Sequence, residues 1–244
     1  MKAVILAGGN GTRLKPLTNH LQKTMVEIND KPLLWYHINH LKSHRINSIW
    51  LLLSKFSESV IDYFGDGSKY GVNVNYSTET RPLGTAGSLN NPDSNIKKEL
   101  RNEEFIVIYG DNLTNIDYTS LLKFHHLKKS FLTIGLYKSK EPWTGGVIEI
   151  YNNGRIKSLV EKPPKEEVKT NTISAGVMVC KPEVLDYIPT GFSDFGFNIL
   201  PKLIDLNKPM FALDTKSYVQ DCGTQDRLIK ARNDYSLGDI KFNF

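Results

Sequence analysis

Cations and glycines are concentrated near the start of the sequence, and their types suit the binding of phosphate. A short apolar run ends at Leu6, and the turn GGNGTR follows from Gly8 to Arg13. Glycine lets a ligand approach the main chain, and free backbone amides in such a turn form a concave anion site. Arg13 adds a planar fork of donors that matches phosphate oxygens, and Lys15 and Lys23 add two further cations. The pattern predicts a polyphosphate-binding loop.

Two common phosphate-loop patterns do not fit this stretch. A dinucleotide fingerprint that includes Gly9 and Gly11 would need a third small residue where Leu14 stands. A Walker-type loop would need Gly-Lys followed by Ser or Thr, and the sequence has no such run at the required distance. An ordinary glycine turn in an α/β protein stays open on the residues alone.

One aspartate lies where a divalent metal could meet bound phosphates. Asp111 follows the apolar run 105–109, and ligands of open α/β sheets lie beyond the carboxyl ends of strands. Mg²⁺ commonly takes one or two carboxylates together with substrate phosphates. Asp111 could instead cap the next helix. Asp221 lies 110 residues further along the chain, and the spacing alone does not show that the two aspartates meet.

The stretch from Gly8 to Lys23 resembles the signature GGxGTRLxPLT…K of the sugar-1-phosphate nucleotidylyltransferases. Further stretches match the family in order, and these are PLGTAG (82–87), GDxLxxxD (110–117), EKP (161–163) and DxGT (221–224). Within the family, the pattern resembles the short mannose- and heptose-1-phosphate guanylyltransferases. A plain surface loop at PLGTAG and an exposed ion pair at EKP are the alternatives that the residues leave open.

The sequence departs from the family at two places. The family usually has a proline on each side of its catalytic lysine, where this chain has Gln22 and Thr24. Because Lys23 itself is kept, we interpret this as a change in loop stiffness. The family usually reads Asn-Ala-Gly in its sugar-binding strand, and here the shorter Ser174 replaces the asparagine. This second departure weakens any transfer of the sugar preference.

The resemblance implies a role for each matching residue. It makes Arg13, Lys23 and Asp111 catalytic, and it assigns Asp111 and Asp221 to the cofactor Mg²⁺. It implies that the nucleotide is bound by Leu6, Ala7, Gly8, Gly9, Gly11, Thr12, Glu79, Pro82, Gly84, Thr85 and Gly110. It implies that the sugar phosphate is bound by Gly146, Glu161, Lys162, Ser174 and Gly176. Glu79 could accept hydrogen bonds from a guanine edge or lie in solvent, and the residues favour neither.

The implied reaction joins a nucleoside triphosphate to a sugar 1-phosphate and releases pyrophosphate. No general base is required, because the sugar phosphate is already ionised at neutral pH. We expect GTP with a mannose- or heptose-type sugar. The alternative is CTP, dTTP or UTP with a glucose-type sugar, since the stretch 26–35 also resembles glucose-1-phosphate cytidylyltransferases.

Two functions of other classes stay open. The first is a non-catalytic regulatory subunit that binds a nucleotide sugar, and the presence of Arg13, Lys23, Asp111 and Asp221 argues against it. The second is an ordinary Rossmann-type nucleotide-binding module, which the missing third glycine argues against.

Strands and helices alternate from residue 1 to about 137, which predicts an α/β fold with a Rossmann-like, mostly parallel central sheet flanked by helices. Asn153-Gly154, between alternating apolar runs, predicts an inserted antiparallel hairpin. No linker or low-complexity stretch divides the chain, so we expect a single nucleotidyltransferase domain over 1–244. Asp117 and Thr224 are expected to cap the helices that follow them.

Two predicted helices show which side chains should be buried. A helix that opens near Pro32 should pack one apolar face formed by Leu34, Ile38 and Leu41. A neighbouring stripe holds His37, His40 and His44, and a solvated or subunit-facing side is favoured there over a metal site. This stripe is compatible with a homo-oligomer. A second helix over 194–205 should pack one side formed by Phe197, Leu200 and Ile204.

Composition excludes several classes of partner. The longest apolar run, 49–53, is far too short to span a bilayer, so we expect no membrane partner. The net charge of +5 comes from scattered lysines without a nucleic-acid-binding motif, so we expect no nucleic acid partner either. A small anionic substrate explains the excess equally well. Cys180 and Cys222 lie far apart, which predicts free thiols and a reduced, cytoplasmic setting.

Overall fold

A computed structural model describes residues 1–54, 56–242 and 244 of the chain. The strands are β1 (Lys2–Leu6), β2 (Glu27–Ile28), β3 (Lys31–Pro32), β4 (Ser48–Leu53), β5 (Asn73–Thr78), β6 (Phe105–Tyr109), β7 (Asn112–Thr114), β8 (Leu132–Lys138), β9 (Gly146–Ile150), β10 (Ile156–Glu161), β11 (Thr172–Cys180), β12 (Met210–Asp214) and β13 (Val219–Asp221). The α-helices are α1 (Leu33–Ser43), α2 (Ser57–Phe64), α3 (Gly84–Gly87), α4 (Ile96–Leu100), α5 (Tyr118–Leu127), α6 (Leu200–Asp205) and α7 (Gln225–Leu237). Short 3₁₀ helices cover Thr12–Leu14, Lys23–Met25, Ser68–Tyr70, Ser88–Asn90, Pro142–Thr144, Lys165–Glu167 and Pro182–Tyr187, and a π-helical turn covers Phe195–Ile199.

The chain divides into two compact units. Unit 1 comprises Met1–Pro82, Val107–Ile116 and Ser217–Phe244. Unit 2 comprises Leu83–Ile106 and Asp117–Lys216. The expectation of one nucleotidyltransferase domain over the whole length stays a prediction.

Parallel strands form the centre of unit 1. Strand β4 lies between β1 and β5, and both pairings are parallel. The amide of Gly110 donates to the carbonyl of Leu6 at 3.0 Å, so β6 ends beside the end of β1. Because the carboxyl ends of these strands share one edge, the turns after Leu6, Thr78 and Tyr109 begin at that edge. The glycine loop, Glu79 and Asp111 follow directly on these three strands.

Helix α1 covers this unit with the apolar face that its periodicity predicts. Leu34, Ile38 and Leu41 are fully buried. The helix begins at Leu33, one residue later than expected, because Lys31 and Pro32 form β3 and pair with β2. The C-terminal helix α7 is capped by Thr224, whose hydroxyl accepts from the amide of Arg227, as predicted.

The prediction of a solvated or subunit-facing histidine stripe on α1 is wrong for His37 and His40. Both side chains are buried, at 3% and 5% exposure. A ring nitrogen of His40 bonds the carbonyl of Ile116 at 2.8 Å, and the ring of His37 lies near the backbone of Gly110 and Asn112. Burial lowers the pKa of His37 to about 4. The stripe thus packs against the backbone of the chain rather than facing water, and Nε2 of His37 has no hydrogen-bond partner among the described residues.

Unit 2 is built from mainly antiparallel strands. Strands β9 and β10 form the predicted hairpin, and β11 pairs antiparallel with both β8 and β9. Strand β12 is parallel to β8. Asp117 caps α5 as predicted, because its carboxylate accepts from the amide of Ser120 at 3.0 Å.

The predicted helix over 194–205 is two elements with a different buried face. The π-helical turn closes with a bond from the amide of Ile199 to the carbonyl of Asp194 at 3.1 Å, and α6 follows it. This wider turn changes which side chains share a face. Phe197 is therefore 58% exposed, contrary to the prediction, and the buried side chains are Phe195, Ile199, Leu200 and Leu203.

The thiols agree with the sequence analysis. Cys180 and Cys222 are both buried and free of disulfides. Burial raises the pKa of Cys222 to about 12, so this thiol is unreactive at neutral pH. Within the described residues, no helix has the length and the apolar character needed to cross a membrane.

Candidate active site

The glycine loop after β1 needs glycine for two separate reasons. Gly11 has φ +62°, a left-handed conformation, and a Cβ there would lie 2.9 Å from the methyl group of Thr18. The hydroxyl of Thr18 donates to the carbonyl of Gly11 at 2.7 Å and closes the loop. A Cβ at Gly8 would lie 3.1 Å from a carboxylate oxygen of Glu79. Glu79 therefore reaches the glycine loop, although its part in base recognition stays a prediction.

Lys23 and Asp111 meet directly. The Nζ atom of Lys23 lies 2.5 Å from Oδ2 of Asp111, although the two residues are 88 positions apart. The lysine side chain is 10% exposed and the aspartate side chain is 34% exposed. The lysine comes from the 3₁₀ turn Lys23–Met25, and the aspartate directly follows Gly110 at the end of β6. This ion pair is therefore fixed by two separate backbone segments.

The two candidate metal ligands are brought together by backbone pairing. Strand β13 pairs with β7 and places Asp221 opposite Asn112. The amide of Cys222 also donates to the carbonyl of Asp111 at 2.8 Å. The meeting of Asp111 and Asp221, which the spacing in the sequence left open, is thus a feature of unit 1.

Asp221 is held on both carboxylate oxygens. Oδ1 accepts from the amide of Gly223 at 2.5 Å, and Oδ2 forms an ion pair with Arg227 of α7. A Cβ at Gly223 would lie 3.0 Å from Nζ of Lys23 and 3.2 Å from Nη2 of Arg13. Lys23, Arg13 and Asp221 therefore converge on this glycine. We name Arg13, Lys23, Asp111, Asp221 and Arg227 the cation–aspartate cluster.

The cluster fits a hard divalent cation that shares its coordination with phosphate. Two carboxylates are the usual protein contribution to Mg²⁺ when a nucleotide supplies the remaining oxygens. In the described part of the chain, no group of three or more His, Cys, Asp or Glu side chains could hold a metal alone. In this state each aspartate is neutralised by its own cation, Lys23 or Arg227.

A second group of candidate residues lies in unit 2 around Glu161. Glu161 ends β10 and pairs with Gly146 across the hairpin. Its carboxylate lies so close to Gly146 and Gly196 that a Cβ at either position would collide with it. Burial raises the pKa of Glu161, the charge of Asp194 acts in the same direction, and Lys162 opposes them. We name Gly146, Glu161, Asp194 and Gly196 the Glu161 pocket.

Asp194 and Gly196 were missed by the sequence analysis, which treated 194–205 as one regular helix. The Oδ1 atom of Asp194 accepts from the amide and the hydroxyl of Thr85, both at 3.0 Å. A Cβ at Gly84 would lie 2.5 Å from the carbonyl of Ser193. The small residues of PLGTAG are thus explained in part by packing against the segment before the π turn. The nucleotide-binding roles of Gly84 and Thr85 stay predictions.

The other predicted sugar-phosphate residues have unusual backbone or local bonds. Lys162 has φ +46°, which is uncommon for a residue with a side chain, and its amide donates to the carbonyl of Gly145 at 3.0 Å. Its ammonium group is largely exposed. The hydroxyl of Ser174 accepts from the amide of Gly176 at 3.2 Å, so it serves its own strand. Backbone strain such as the positive φ of Lys162 is commonly found at functional sites, where a side chain must be held in one direction.

The nucleotidyl transferase family model matches residues 2–237, and the chain belongs to this family. It is 34% identical over 226 residues to the UTP–glucose-1-phosphate uridylyltransferase of Synechocystis, covering 88% of this chain and 58% of that protein. It is 31% identical over 239 residues to the mannose-1-phosphate guanylyltransferase of Mycobacterium tuberculosis, and the match covers 97% of this chain and 65% of that protein. The chain spans about three fifths of the length of the curated relatives that it matches.

Two solved structures show the same fold. HddC of Yersinia pseudotuberculosis, crystallised with GMP-PN, has a TM-score of 0.80 and 29% identity over 96% of this chain and 99% of that one. A second structure is that of a candidate glucose-1-phosphate thymidylyltransferase from Bacillus anthracis. It has a TM-score of 0.85 and 24% identity, and the match covers 100% of this chain and 98% of that one. The predicted family and the predicted fold class are confirmed. The homologues are sugar-1-phosphate nucleotidyltransferases, and the family generally depends on a divalent metal.

Proposed function

We propose that this protein transfers a nucleoside monophosphate from a nucleoside triphosphate to a sugar 1-phosphate, giving a nucleotide sugar and pyrophosphate. The cation–aspartate cluster carries the proposal. It combines three cations, Arg13, Lys23 and Arg227, with two carboxylates at the ends of strands that follow the glycine loop. Ligands of open α/β sheets are bound at such strand ends. The names of the homologues support the same reaction.

The residues of unit 1 would act by alignment and charge. Arg13 and the amides of the glycine loop would hold the triphosphate, and Lys23 would contact its α-phosphate. Both substrates are anions, so repulsion and misalignment are the main obstacles to attack. Holding reactants in line can remove roughly 7–11 kcal/mol of a barrier. Fixed cations then stabilise the negative charge that grows on the phosphate oxygens and on the leaving pyrophosphate.

Asp111 and Asp221 would hold Mg²⁺, the cofactor that the donor set fits. When bound, this ion would supply positive charge to the reacting phosphate oxygens. Lys23 already neutralises Asp111, so the lysine is placed to exchange its carboxylate partner for a phosphate when a nucleotide binds.

The residues of unit 2 would bind the sugar 1-phosphate. Glu161 would accept hydrogen bonds from sugar hydroxyls, and Lys162 would bind the phosphate. Gly146 makes room for the carboxylate of Glu161, Gly176 would lie against the sugar, and Ser174 would contribute little because its hydroxyl serves the strand. Asp194 joins this set as a residue that the motifs did not indicate, since its charge acts on Glu161.

We propose GTP with a mannose- or heptose-type 1-phosphate as the substrate pair. The relative from Mycobacterium tuberculosis is named for GTP-type transfer to mannose 1-phosphate, and HddC was solved with GMP-PN. The Synechocystis relative, named for UTP and glucose 1-phosphate, favours the alternative of a glucose-type sugar with UTP, CTP or dTTP. A cytoplasmic location and a homo-oligomer remain predictions of the sequence analysis.

Pyrophosphate release with Mg²⁺ tests the function and names the substrates. The assay uses a grid of GTP, CTP, UTP, dTTP and ATP against mannose-, heptose-, glucose- and N-acetylglucosamine-1-phosphates, with Lys23→Ala as the control. We expect release from one pair, and only a small residual rate from the control. Tight binding of a nucleotide sugar without release from any pair would favour the regulatory subunit instead.

A further inference from the structure

The residues on either side of Lys23 are tied together by their own side chains. Gln22 and Thr24 stand where the resembling family usually has prolines, and both are 2% exposed. Oε1 of Gln22 accepts from the amide of Thr24 at 2.6 Å and from its hydroxyl at 2.7 Å. A backbone amide can only donate, so the oxygen of the Gln22 side chain must be the atom that faces it. We call this pair of bonds the Gln22–Thr24 clamp.

The clamp fixes the backbone from which Lys23 projects. The amide of Met25 donates to the carbonyl of Gln22 at 2.9 Å, which closes the same turn from the main chain. Lys23 therefore lies in a turn that is bonded by side chain and by backbone. With the backbone held, only the side-chain torsions of Lys23 remain to be set, and its Nζ rests on Asp111.

The clamp also rests on the segment that carries Asp111. A Cβ at Gly110 would lie 3.0 Å from the methyl group of Thr24, so Thr24 packs tightly beneath Gly110. One face of Thr24 thus serves the clamp and the other touches the residue before Asp111. The arrangement sets the distance between the backbone of the lysine and the backbone of the aspartate.

We propose that Gln22 is a positioning residue for Lys23, and that its two hydrogen bonds to Thr24 supply the stiffness that flanking prolines supply in the resembling family. The catalytic consequence rests on the proposed function, while the clamp itself does not. A cation that stabilises a transferring phosphate must be held closely, because a displacement of about 1 Å can cost on the order of a hundredfold in rate.

Three variants separate the contributions to the clamp. Gln22→Met keeps the length of the side chain and removes both bonds. Thr24→Val removes the hydroxyl bond, and it keeps the methyl group and the amide bond. Gln22→Pro replaces the bonds by a ring, which the φ of −63° at Gln22 accommodates. Ser130→Ala is the control, because it removes a buried hydroxyl in unit 2 that donates over the same two-residue span to the carbonyl of Leu132, with the carbonyl of Pro209 as a second acceptor.

We expect Gln22→Met to lower kcat about tenfold with little change in the KM for nucleotide. Thr24→Val should lower kcat by a smaller factor than Gln22→Met does. The kcat of Gln22→Pro should lie between those of Gln22→Met and the wild type. In a Lys23→Ala background, Gln22→Met should cause no further loss, because the residue that it positions is gone. Ser130→Ala should lower the melting temperature and leave kcat unchanged.

Two readouts do not depend on activity. Hydrogen exchange at the amide of Thr24 should accelerate in Gln22→Met, and Lys23 should be labelled faster by an amine-reactive reagent, as measured by peptide mass spectrometry. If the protein proves inactive on every substrate pair, these two readouts still decide whether the clamp holds Lys23. Unchanged exchange and labelling in Gln22→Met, or kcat at the wild-type level with accelerated exchange, would overturn the proposal. Should Gln22→Met not fold, Thr24→Val and Gln22→Pro provide the same comparison.

Discussion

The cation–aspartate cluster of unit 1 and the Glu161 pocket of unit 2 use charge in opposite ways. In unit 1 each aspartate is paired with a cation, Lys23 or Arg227. In unit 2 the half-buried Glu161 has the distant ammonium of Lys162 at 3.9 Å, and its partial burial together with the charge of Asp194 raises its pKa. A cluster of fixed cations suits a polyanion, whereas carboxylate acceptors suit the hydroxyls of a neutral ring. We therefore expect the cluster of unit 1 to bind the triphosphate of the nucleotide and Glu161 of unit 2 to bind the sugar hydroxyls, where Lys162 would bind the sugar phosphate.

Removing Lys23 should disable the cation–aspartate cluster of unit 1 and give the largest loss of turnover. We expect Lys23→Met to lower turnover on the order of a thousandfold, because it removes a cation aimed at developing charge. Steady-state kinetics with saturating Mg²⁺ measure it. Lys230→Met is the matched control, since Lys230 pairs with Asp234 within α7 and should leave turnover unchanged. A loss below threefold for Lys23→Met would remove Lys23 from the reaction.

Acid should destabilise the fold through a buried neutral histidine in unit 2. Burial lowers the pKa of His125 to about 4, with Glu104 opposing this and His126 and Lys181 adding to it. Below pH 6.5 the unfolded chain binds a proton at His125, whereas the folded chain does not. The free energy of unfolding therefore falls as the pH falls from 6.5 to 4. At pH 4 the lowered pKa of His125 corresponds to a loss of about 3 kcal/mol of unfolding free energy.

Urea unfolding across this pH range measures the effect. We expect His125→Gln to remove about half of the dependence, because the lowered pKa of His37 in unit 1 contributes in the same direction. We expect His126→Gln, at an exposed ring, to leave most of it. An equal slope for wild type and His125→Gln would assign the acid sensitivity to other groups.

Glu161→Gln should sharpen the comparison from the sugar side. We expect a rise of about 30-fold in the KM for sugar 1-phosphate, since loss of a charged acceptor costs about 2 kcal/mol. The affinity for nucleotide, measured by calorimetry, should stay at its wild-type value. Glu149→Gln, which loses only a surface pair with Lys157, is the control. A parallel loss of nucleotide affinity would contradict the separation of the two functions.

Gly11→Ala gives the smallest effect and tests the glycine loop. Gly11 and Gly238 both have positive φ, but only at Gly11 would a Cβ meet another side chain, that of Thr18. We expect Gly238→Ala to cost about 1 kcal/mol of unfolding free energy and Gly11→Ala about 2 kcal/mol, because strain and collision add at the second site. Equal costs in urea unfolding would show that Thr18 moves aside freely.

The sequence predicted the elements whose signals are local. The cap at Asp117, the hairpin at Asn153-Gly154 and the helix that follows Thr224 depend on neighbouring residues, and the structure has all three. Motif resemblance also indicated the phosphate-side residues Arg13 and Asp221, whose roles remain predictions.

The features that the sequence did not reveal depend on contacts between distant segments. Asp194 and Gly196 lie near Glu161 because a π turn interrupts the expected helix. No periodicity of apolar residues in the sequence indicates such a turn. His37 and His40 are buried against the backbone that follows β6 and β7, and the carbonyl of Ile116 bonds the ring of His40. The Gln22–Thr24 clamp was visible only as two missing prolines, since a hydrogen bond within a 3₁₀ turn has no sequence signature.

The central claim is that this chain transfers a nucleoside monophosphate, and the fate of labelled phosphates tests it most directly. The reaction would contain Mg²⁺, a sugar 1-phosphate and GTP that carries ³²P at either the α or the γ position. We expect the α label to appear in a nucleotide sugar and the γ label in pyrophosphate, and we expect the rate of both to fall on the order of a thousandfold with Lys23→Met. A γ label found in inorganic phosphate or on the sugar, with the α label retained in GDP, would show a different bond cleavage and contradict the account.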